Sequence, residues 1–375
     1  MDFKINCDVL LDALNVVQKG LPVKTPMPIL TGIKLDVYEN YLIMTSSNTD
    51  ISIEVKIEGN DLTINEKGNC IIPGKYFLEI IRKINSRDVE ISLMDQKIIL
   101  IKAERSEFKL NTMDYNDYPE IEFINNKESF KIDANIIKTI IREVNFACAT
   151  NEKRPILTGV NFKCEDGLLT CVATDSFRLS KKNIYLDNNI NFNIVIPSKS
   201  LDELLKIIED YNENLEISIN NGKILINFKN ISFQTRLLEG NYPDTSKIIP
   251  KEFPVIVKFN KDELIHVIER VSLLSPKEKD RNYNIIQLKI TNNRTVQITS
   301  NNNEIGDALE EIIPIDNIIG PVFKIAFSSK YLSDSLKAFN SNNITINFTG
   351  ELKPFIINDE NNNNLLHLIL PVKID

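Results

Sequence analysis

Histidines and cysteines, the side chains best suited to proton transfer and nucleophilic attack near neutral pH, are few in this 375-residue chain, and they are scattered. There are two histidines. His266 falls inside a helical pattern, and His367 alternates with Leu366 and Leu368 as a strand residue does. A nucleophile needs a base within reach, and neither histidine sits in such a constellation, so both read as structural. The five cysteines, Cys7, Cys70, Cys148, Cys164 and Cys171, show no C-x-x-C spacing and read as reduced core thiols. The sequence has no glycine-rich phosphate loop, zinc spacing or calcium loop. Thr49-Asp50 recurs as Thr174-Asp175, but such pairs shape turns more often than they carry protons. The expectation is therefore no catalytic residue, no metal and no cofactor. What remains is binding chemistry, carried by lysines at recurring positions and by apolar side chains next to prolines.

Those positions recur because one unit of about 125 residues is written three times. Ile71-Ile72-Pro73-Gly74-Lys75-Tyr76-Phe77 returns as Val195-Ile196-Pro197-Ser198-Lys199-Ser200-Leu201, and more weakly as Ala326-Phe327-Ser328-Ser329-Lys330-Tyr331-Leu332. Ile29-Leu30-Thr31-Gly32 returns as Ile156-Leu157-Thr158-Gly159, and faintly as Ile285-Ile286-Gln287-Leu288. Asp117-Tyr118-Pro119-Glu120 returns as Asn241-Tyr242-Pro243-Asp244. The period is too long for a solenoid unit and fits three whole domains. The boundaries are expected at 1–124, 125–251 and 252–375, with joints near Glu122–Glu128 and Pro250–Pro254, where polar residues and prolines break the periodicity.

Each unit opens with an amphipathic helix. The apolar faces are Leu10, Leu11, Leu14 and Val17; Ile136, Ile137, Ile140, Ile141 and Val144; and Leu264, Ile265, Ile268 and Val271. Asp8, Asp133 and Asp262 lie near the helix starts, where a carboxylate suits free N–H groups. Strands with period-two alternation follow, such as Ile51–Ile57 and Leu215–Ile219. A second helix starts after the Ile-Pro-x-Lys mark, with Tyr76, Phe77, Ile80, Ile81 and Ile84 as its expected buried stripe. The third unit closes on a strand from Leu365 to Leu370. Two helices and many antiparallel strands per unit make an α+β fold.

No basic start leads into an apolar stretch, so no secretory signal is expected, and no run is long enough to span a membrane. A cytoplasmic protein is expected. The net charge of −8 argues against a conventional basic nucleic-acid footprint. The predicted helices are less acidic than the rest, with a net charge of about zero. The asparagine tract Asn361–Asn364 reads as a solvated hairpin tip.

Three α+β units in register, with Thr174-Asp175-Ser176-Phe177-Arg178-Leu179 in the second and Leu368-Ile369-Leu370-Pro371-Val372-Lys373 at the end, resemble the bacterial DNA sliding clamp family, the beta subunit of DNA polymerase III. Supporting motifs are Pro28-Ile29-Leu30, Arg154-Pro155-Ile156-Leu157-Thr158-Gly159 and Glu239-Gly240-Asn241-Tyr242-Pro243-Asp244. The resemblance covers essentially the whole chain. It implies a head-to-tail homodimer, a ring of six clamp domains around duplex DNA, which tethers the replicative polymerase and catalyses nothing. There are departures: Phe177 stands where the family usually has histidine, and Lys24 and Lys373 stand where many members have arginine. Lysine keeps the charge but lacks the planar fork.

The resemblance also implies sites. Lys24, Lys75, Asn151 and Lys199 match DNA-facing positions. Phe108 and Leu110 on an edge strand match one side of the dimer interface, and Leu273 and Leu274 match the other. A peptide groove between the second and third units matches Arg154, Leu157, Thr174, Phe177, Arg178, Leu179, Pro243, Ile248, Tyr331, Pro354, Ile369, Leu370, Pro371 and Val372. The implied clients are the DNA polymerase III alpha subunit, the clamp loader, other polymerases and repair proteins, each docking a short Gln-x-x-Leu-Phe-like segment.

Overall fold

The computed structural model describes residues 1–124, 128–151, 153–187, 190–275, 284–359 and 362–373. Part of the first expected joint (125–127), Asn361 and both residues after Lys373 lie outside them. Among the described residues there are six α-helices: α1 Cys7–Val17, α2 Gly74–Lys83, α3 Ala134–Val144, α4 Ser198–Ile208, α5 Lys261–Ser272 and α6 Ser329–Lys337. None is long and apolar enough to cross a membrane.

The helices follow the repeat. Cys7, Ala134 and Lys261 open α1, α3 and α5, one step of 127 residues apart each time. In α1, Cys7, Leu10, Ala13, Leu14 and Val17 are buried, and in α5 Leu264, Val267, Ile268 and Val271 are. Capping differs from the simple expectation. Asn6 and Asn260, not aspartates, cap α1 and α5 with their side chains, and Asp8 and Asp262 sit in the first turns. Asp133 does accept from the Asn135 N–H at 2.7 Å.

The stripe expected on α2 needs correction. Tyr76 is 63% exposed, and the buried residues are Gly74, Phe77, Leu78 and Ile81. Spacing of three and four from Gly74 selects Phe77, Leu78 and Ile81, and Tyr76 falls on the solvent side. The Thr-Asp register also shifts by two residues. The matching turn residues are Ser47-Asn48-Thr49 and Thr174-Asp175-Ser176. Asn48 Oδ1 accepts from the Asp50 and Ile51 N–H groups, as Asp175 Oδ1 does from Phe177 and Arg178. Thr49 and Ser176 both take a positive φ, 80° and 78°. Asp50 therefore corresponds to Phe177. Both turns are Asx-turns, as the turn reading of these pairs expects.

Gly32 and Gly159 explain another repeated mark. A Cβ on Gly32 would lie 2.3 Å from Ile71 Cγ2, and one on Gly159 would lie 2.5 Å from the Ile196 carbonyl oxygen. Each glycine lets a short 3-10 helix, Pro28–Thr31 or Pro155–Thr158, run straight into a packed strand.

The chain divides into two compact units, 1–135 with 202–237 and 136–201 with 238–375. The division runs through the second repeat because its two sheets join different neighbours. In the first unit, Ile231–Arg236 of the second repeat pairs antiparallel with Ile51–Glu58 of the first, making an eight-stranded sheet. In the second unit, Asn362–Ile369 of the third repeat pairs with Arg178–Tyr185 of the second, making another. The registers match: Thr235 lies opposite Ile51, and Ile369 opposite Arg178. One junction is thus used twice. A five-stranded sheet ending in Ser106–Asn111 completes the first unit, and a four-stranded sheet ending in Gly306–Ile312 completes the second. The third repeat's core lies between its sheets and under α5 and α6, with Phe259, Phe327, Phe348 and Phe355 fully buried.

Candidate functional site

In the second unit, strand alternation sorts the candidate groove residues onto two faces. Leu179 pairs with Leu368, and Leu368 with Ile356, on one face. Arg178 pairs with Ile369, and Ser180 with His367, on the other. On the first face Val172, Leu179, Ile356 and Leu368 form an apolar cluster, with Tyr242, Ile249, Phe253, Leu366 and Leu370 packed on it. The segment carrying Tyr242 to Pro254 borders a cavity on either side. One, of about 380 Å³, meets Val172, Lys181 and Pro243. The other, of about 860 Å³, meets Ile248, Ile249, Phe253 and Pro354.

Pro243, Ile248, Pro354 and Leu370 therefore border one surface, with Leu179, 1% exposed, in the apolar layer beneath it. Phe177, 37% exposed, borders it, because its carbonyl accepts the Leu370 N–H at 2.9 Å. Pro371 and Val372 are half-buried, and the Val372 N–H donates to the Ala326 carbonyl at 2.7 Å, which pins the tail. Arg154 is exposed where the Pro155–Thr158 turn begins, and Leu157 is buried within that turn. Arg178 and Ile369 are not brought to this surface, whereas Thr174, which pairs with Leu179 on the groove's face, is buried there. Thr174 Oγ1 donates to the Arg178 carbonyl at 2.6 Å, and Ile369 belongs to the third repeat's core.

Arg178 instead ties the second and third repeats together beneath the groove. Its guanidinium donates to Asp175 Oδ2 at 3.0 Å, to Asp334 Oδ2 at 2.7 Å and to the Phe146 carbonyl at 2.6 Å. The Tyr331 ring lies 4.6 Å from it and the Phe146 ring 5.3 Å. Burial raises the Asp175 carboxyl above the usual range, an effect partly offset by Arg178 and two backbone N–H groups. Sequence reading missed Asp334, which carries no repeated mark. Nearby, Lys182 and Glu143 form a buried ion pair at 2.7 Å.

His367 lies fully buried on this inner face, its ring edge-on to Phe339 and Phe146. Neither ring nitrogen has a hydrogen-bond partner among the described residues. Burial, then the charges of Arg178 and Lys182, push its pKa down to about 3. The unfolded chain binds a proton below about pH 6.5, where the folded chain does not. Stability is therefore expected to fall as pH drops through 6.5 towards 3, by about 2 kcal/mol at pH 5 from this group. Denaturant unfolding at pH 7 and pH 5 checks this: His367→Phe should lose that much less stability than the parent chain. An equal loss in both would show that the folded site accepts the proton.

The cysteines match their reading, all five being buried. Burial pushes the Cys70 thiol up to about 12 and Cys171 well above the usual value, which removes the reactive thiolate.

The first unit holds a matching place with different chemistry. A cavity of about 280 Å³ there is lined by Met27, Leu30, Ser47, Asp50, Ser52 and Pro119, among others. A shift of 127 residues carries the first five of these to Arg154, Leu157, Thr174, Phe177 and Leu179. Arg236, also in the lining, donates its N–H to Asp50 as Leu370 does to Phe177. Asp50, Ser52, Gln234 and Arg236 thus stand where the second unit has Phe177, Leu179, Leu368 and Leu370. Among the described residues, the matching place in the first unit lacks this apolar surface.

Lys75 and Lys199 are exposed second residues of α2 and α4. Lys330 holds the same place on α6 and is also exposed. The repeat marks contain Lys330, yet it was not among the residues expected to face DNA. A cation in a first helical turn opposes the helix dipole, so three such lysines are not explained by helix stability. Lys24 and Asn151 are exposed in loops. Phe108 is 37% exposed and Leu110 half-buried on the edge strand Ser106–Asn111. Leu273, 78% exposed, caps the end of α5, and Leu274 beside it is half-buried.

Three two-helix, antiparallel-sheet domains joined through one repeated strand junction define a three-domain clamp-type protein. Residues 1–122, 131–244 and 246–373 match the N-terminal, central and C-terminal domains of the DNA polymerase III beta subunit. The chain is 37% identical to the beta sliding clamp of Staphylococcus epidermidis and 36% to that of Staphylococcus aureus, over 100% of this chain and 99% of each relative. The crystal structure of the Bacillus subtilis DNA polymerase sliding clamp superposes with a TM-score of 0.94 at 37% identity. The beta chain of Streptococcus pneumoniae DNA polymerase III superposes at 0.95 and 35%, and both comparisons cover 100% of each chain. The chain belongs to the beta sliding clamp family, the beta subunits of DNA polymerase III. Its function is that of a replication processivity clamp, without catalysis of its own.

Proposed function

We propose that two copies of this chain close head to tail into a six-domain ring around duplex DNA. The observation that carries this is the repeated junction. The last strand of the second repeat, Ile231–Arg236, pairs with Ile51–Glu58 of the first, and the last strand of the third, Asn362–Ile369, pairs with Arg178–Tyr185 of the second. By the same rule the last strand of the first repeat, Ser106–Asn111, seeks the third repeat's counterpart, Gly306–Ile312. Each of those two strands is a sheet edge. Unpaired edges are templates for pairing with another chain, and head-to-tail contacts form a ring when the rotation closes. Phe108 and Leu110 lie on one edge. Leu273 and Leu274 follow α5, whose Arg270 grips Glu310 on the other edge at 2.7 and 2.6 Å. Imaging of single particles tests the ring.

In this reading the domains are 1–124, 125–251 and 252–375. Lys24, Lys75, Asn151 and Lys199, together with Lys330, contact phosphates. A ring that slides must not grip base edges, so the contact is independent of sequence, weak and reduced by salt. The groove with Phe177, Pro243, Ile248, Pro354 and Leu370 on its surface and Leu179 beneath receives Gln-x-x-Leu-Phe-like segments of the polymerase III alpha subunit, the clamp loader, other polymerases and repair proteins. Arg178 and Tyr331 support it from beneath. Two apolar anchors gain roughly 1.5–3 kcal/mol each, offset by ordering a flexible peptide, so partners exchange. A replication clamp of this kind works on DNA in the cytoplasm.

A further inference from the structure

The larger cavity beside the groove has an unbalanced charge. Lys247, Lys251 and Lys353 line it against a single acid, Glu252. All three lysines are exposed, and none forms an ion pair among the described residues. The two cavities described above carry no positive excess. Next to Pro243, Lys163 pairs with Glu165 at 2.8 Å, and Lys181 and Asp244 share the lining. In the first unit Asp50, Glu120 and Glu122 face Lys223 and Arg236. A local positive excess is out of keeping with a chain of net charge −8.

The basic cavity is continuous with the groove. Ile249 and Phe253 line it and also pack on the apolar cluster of Leu179 and Leu368. Ile248, 49% exposed, and Pro354 form its apolar wall. A peptide seated on the cluster therefore continues past three unpaired ammonium groups. We infer that this cavity is a subsite for carboxylates, and that it selects apolar client segments flanked by aspartate or glutamate. The inference rests on the groove reading above and adds the charge of the client to it. Complementary charge raises the encounter rate and suppresses wrong partners, and the pairs formed here are solvent-exposed and so individually weak.

Calorimetry with two synthetic peptides tests it. Both carry one Gln-x-x-Leu-Phe motif, flanked in one by Asp and Glu and in the other by Asn and Gln. The parent chain should bind the acidic peptide about tenfold tighter, since exposed pairs contribute about two- to fivefold each. The preference should shrink at high salt and vanish in the triple variant Lys247→Gln, Lys251→Gln, Lys353→Gln. The corresponding Lys→Glu variant should prefer a lysine-flanked peptide. Equal binding of both peptides by the parent chain would overturn the inference and leave the groove standing. A preference that survives in the triple variant would also overturn it. Failure of both peptides to bind would overturn the groove itself.

Discussion

Replacing Leu273 and Leu274 with alanine is expected to convert the protein from dimers into folded monomers. Leu273 exposes 78% of its surface on the single chain, so its truncation leaves no cavity in the monomer. In the proposed ring both leucines are buried against Phe108 and Leu110 of the other copy. Loss of a buried leucine costs about 2–5 kcal/mol, and a two-chain ring contains the interface twice. Light scattering coupled to size exclusion should report the mass of one chain at micromolar concentration, with unchanged far-ultraviolet circular dichroism. A double variant that stays dimeric would remove these residues from the interface.

The second large effect is expected at the groove. Phe177→Asp with Leu370→Arg writes the first unit's residues, Asp50 and Arg236, into the second unit's place. Both sites are partly exposed, so the fold should survive, and the Leu370 N–H still reaches the Phe177 carbonyl. Two apolar anchors of roughly 1.5–3 kcal/mol each are lost, enough to weaken a Gln-x-x-Leu-Phe peptide by at least about a hundredfold. Calorimetry should show no measurable heat. Retained affinity would move the site off this face.

The repeat made the fold legible. Helix spacing, the Pro-Ile-Leu-Thr-Gly turns and the strand alternation around His367 all follow from local chemistry that recurs every 124 to 131 residues. Tyr76 went astray because an amphipathic stripe one residue out of phase still contains mostly apolar residues. Its ring tolerates water, so only packing separates it from Leu78. The Thr-Asp mark went astray because Asn48 and Asp175 play one role with different side chains, while identical letters sit two places off. Part of the groove was legible through the family resemblance. Its two-sidedness was not: Arg178 and Ile369 share motifs with Leu179 and Leu370 but point the other way, as adjacent strand residues must. Asp334 and the lysines at 247, 251 and 353 acquire meaning only when distant segments meet.

The most direct measurement is the shape of the particle. Two chains joined through the free edges at Ser106–Asn111 and Gly306–Ile312 should appear by electron microscopy as closed, six-lobed rings with an open centre, each with the mass of two chains. Particles of one chain's mass, or dimers joined without a central opening, would contradict the account.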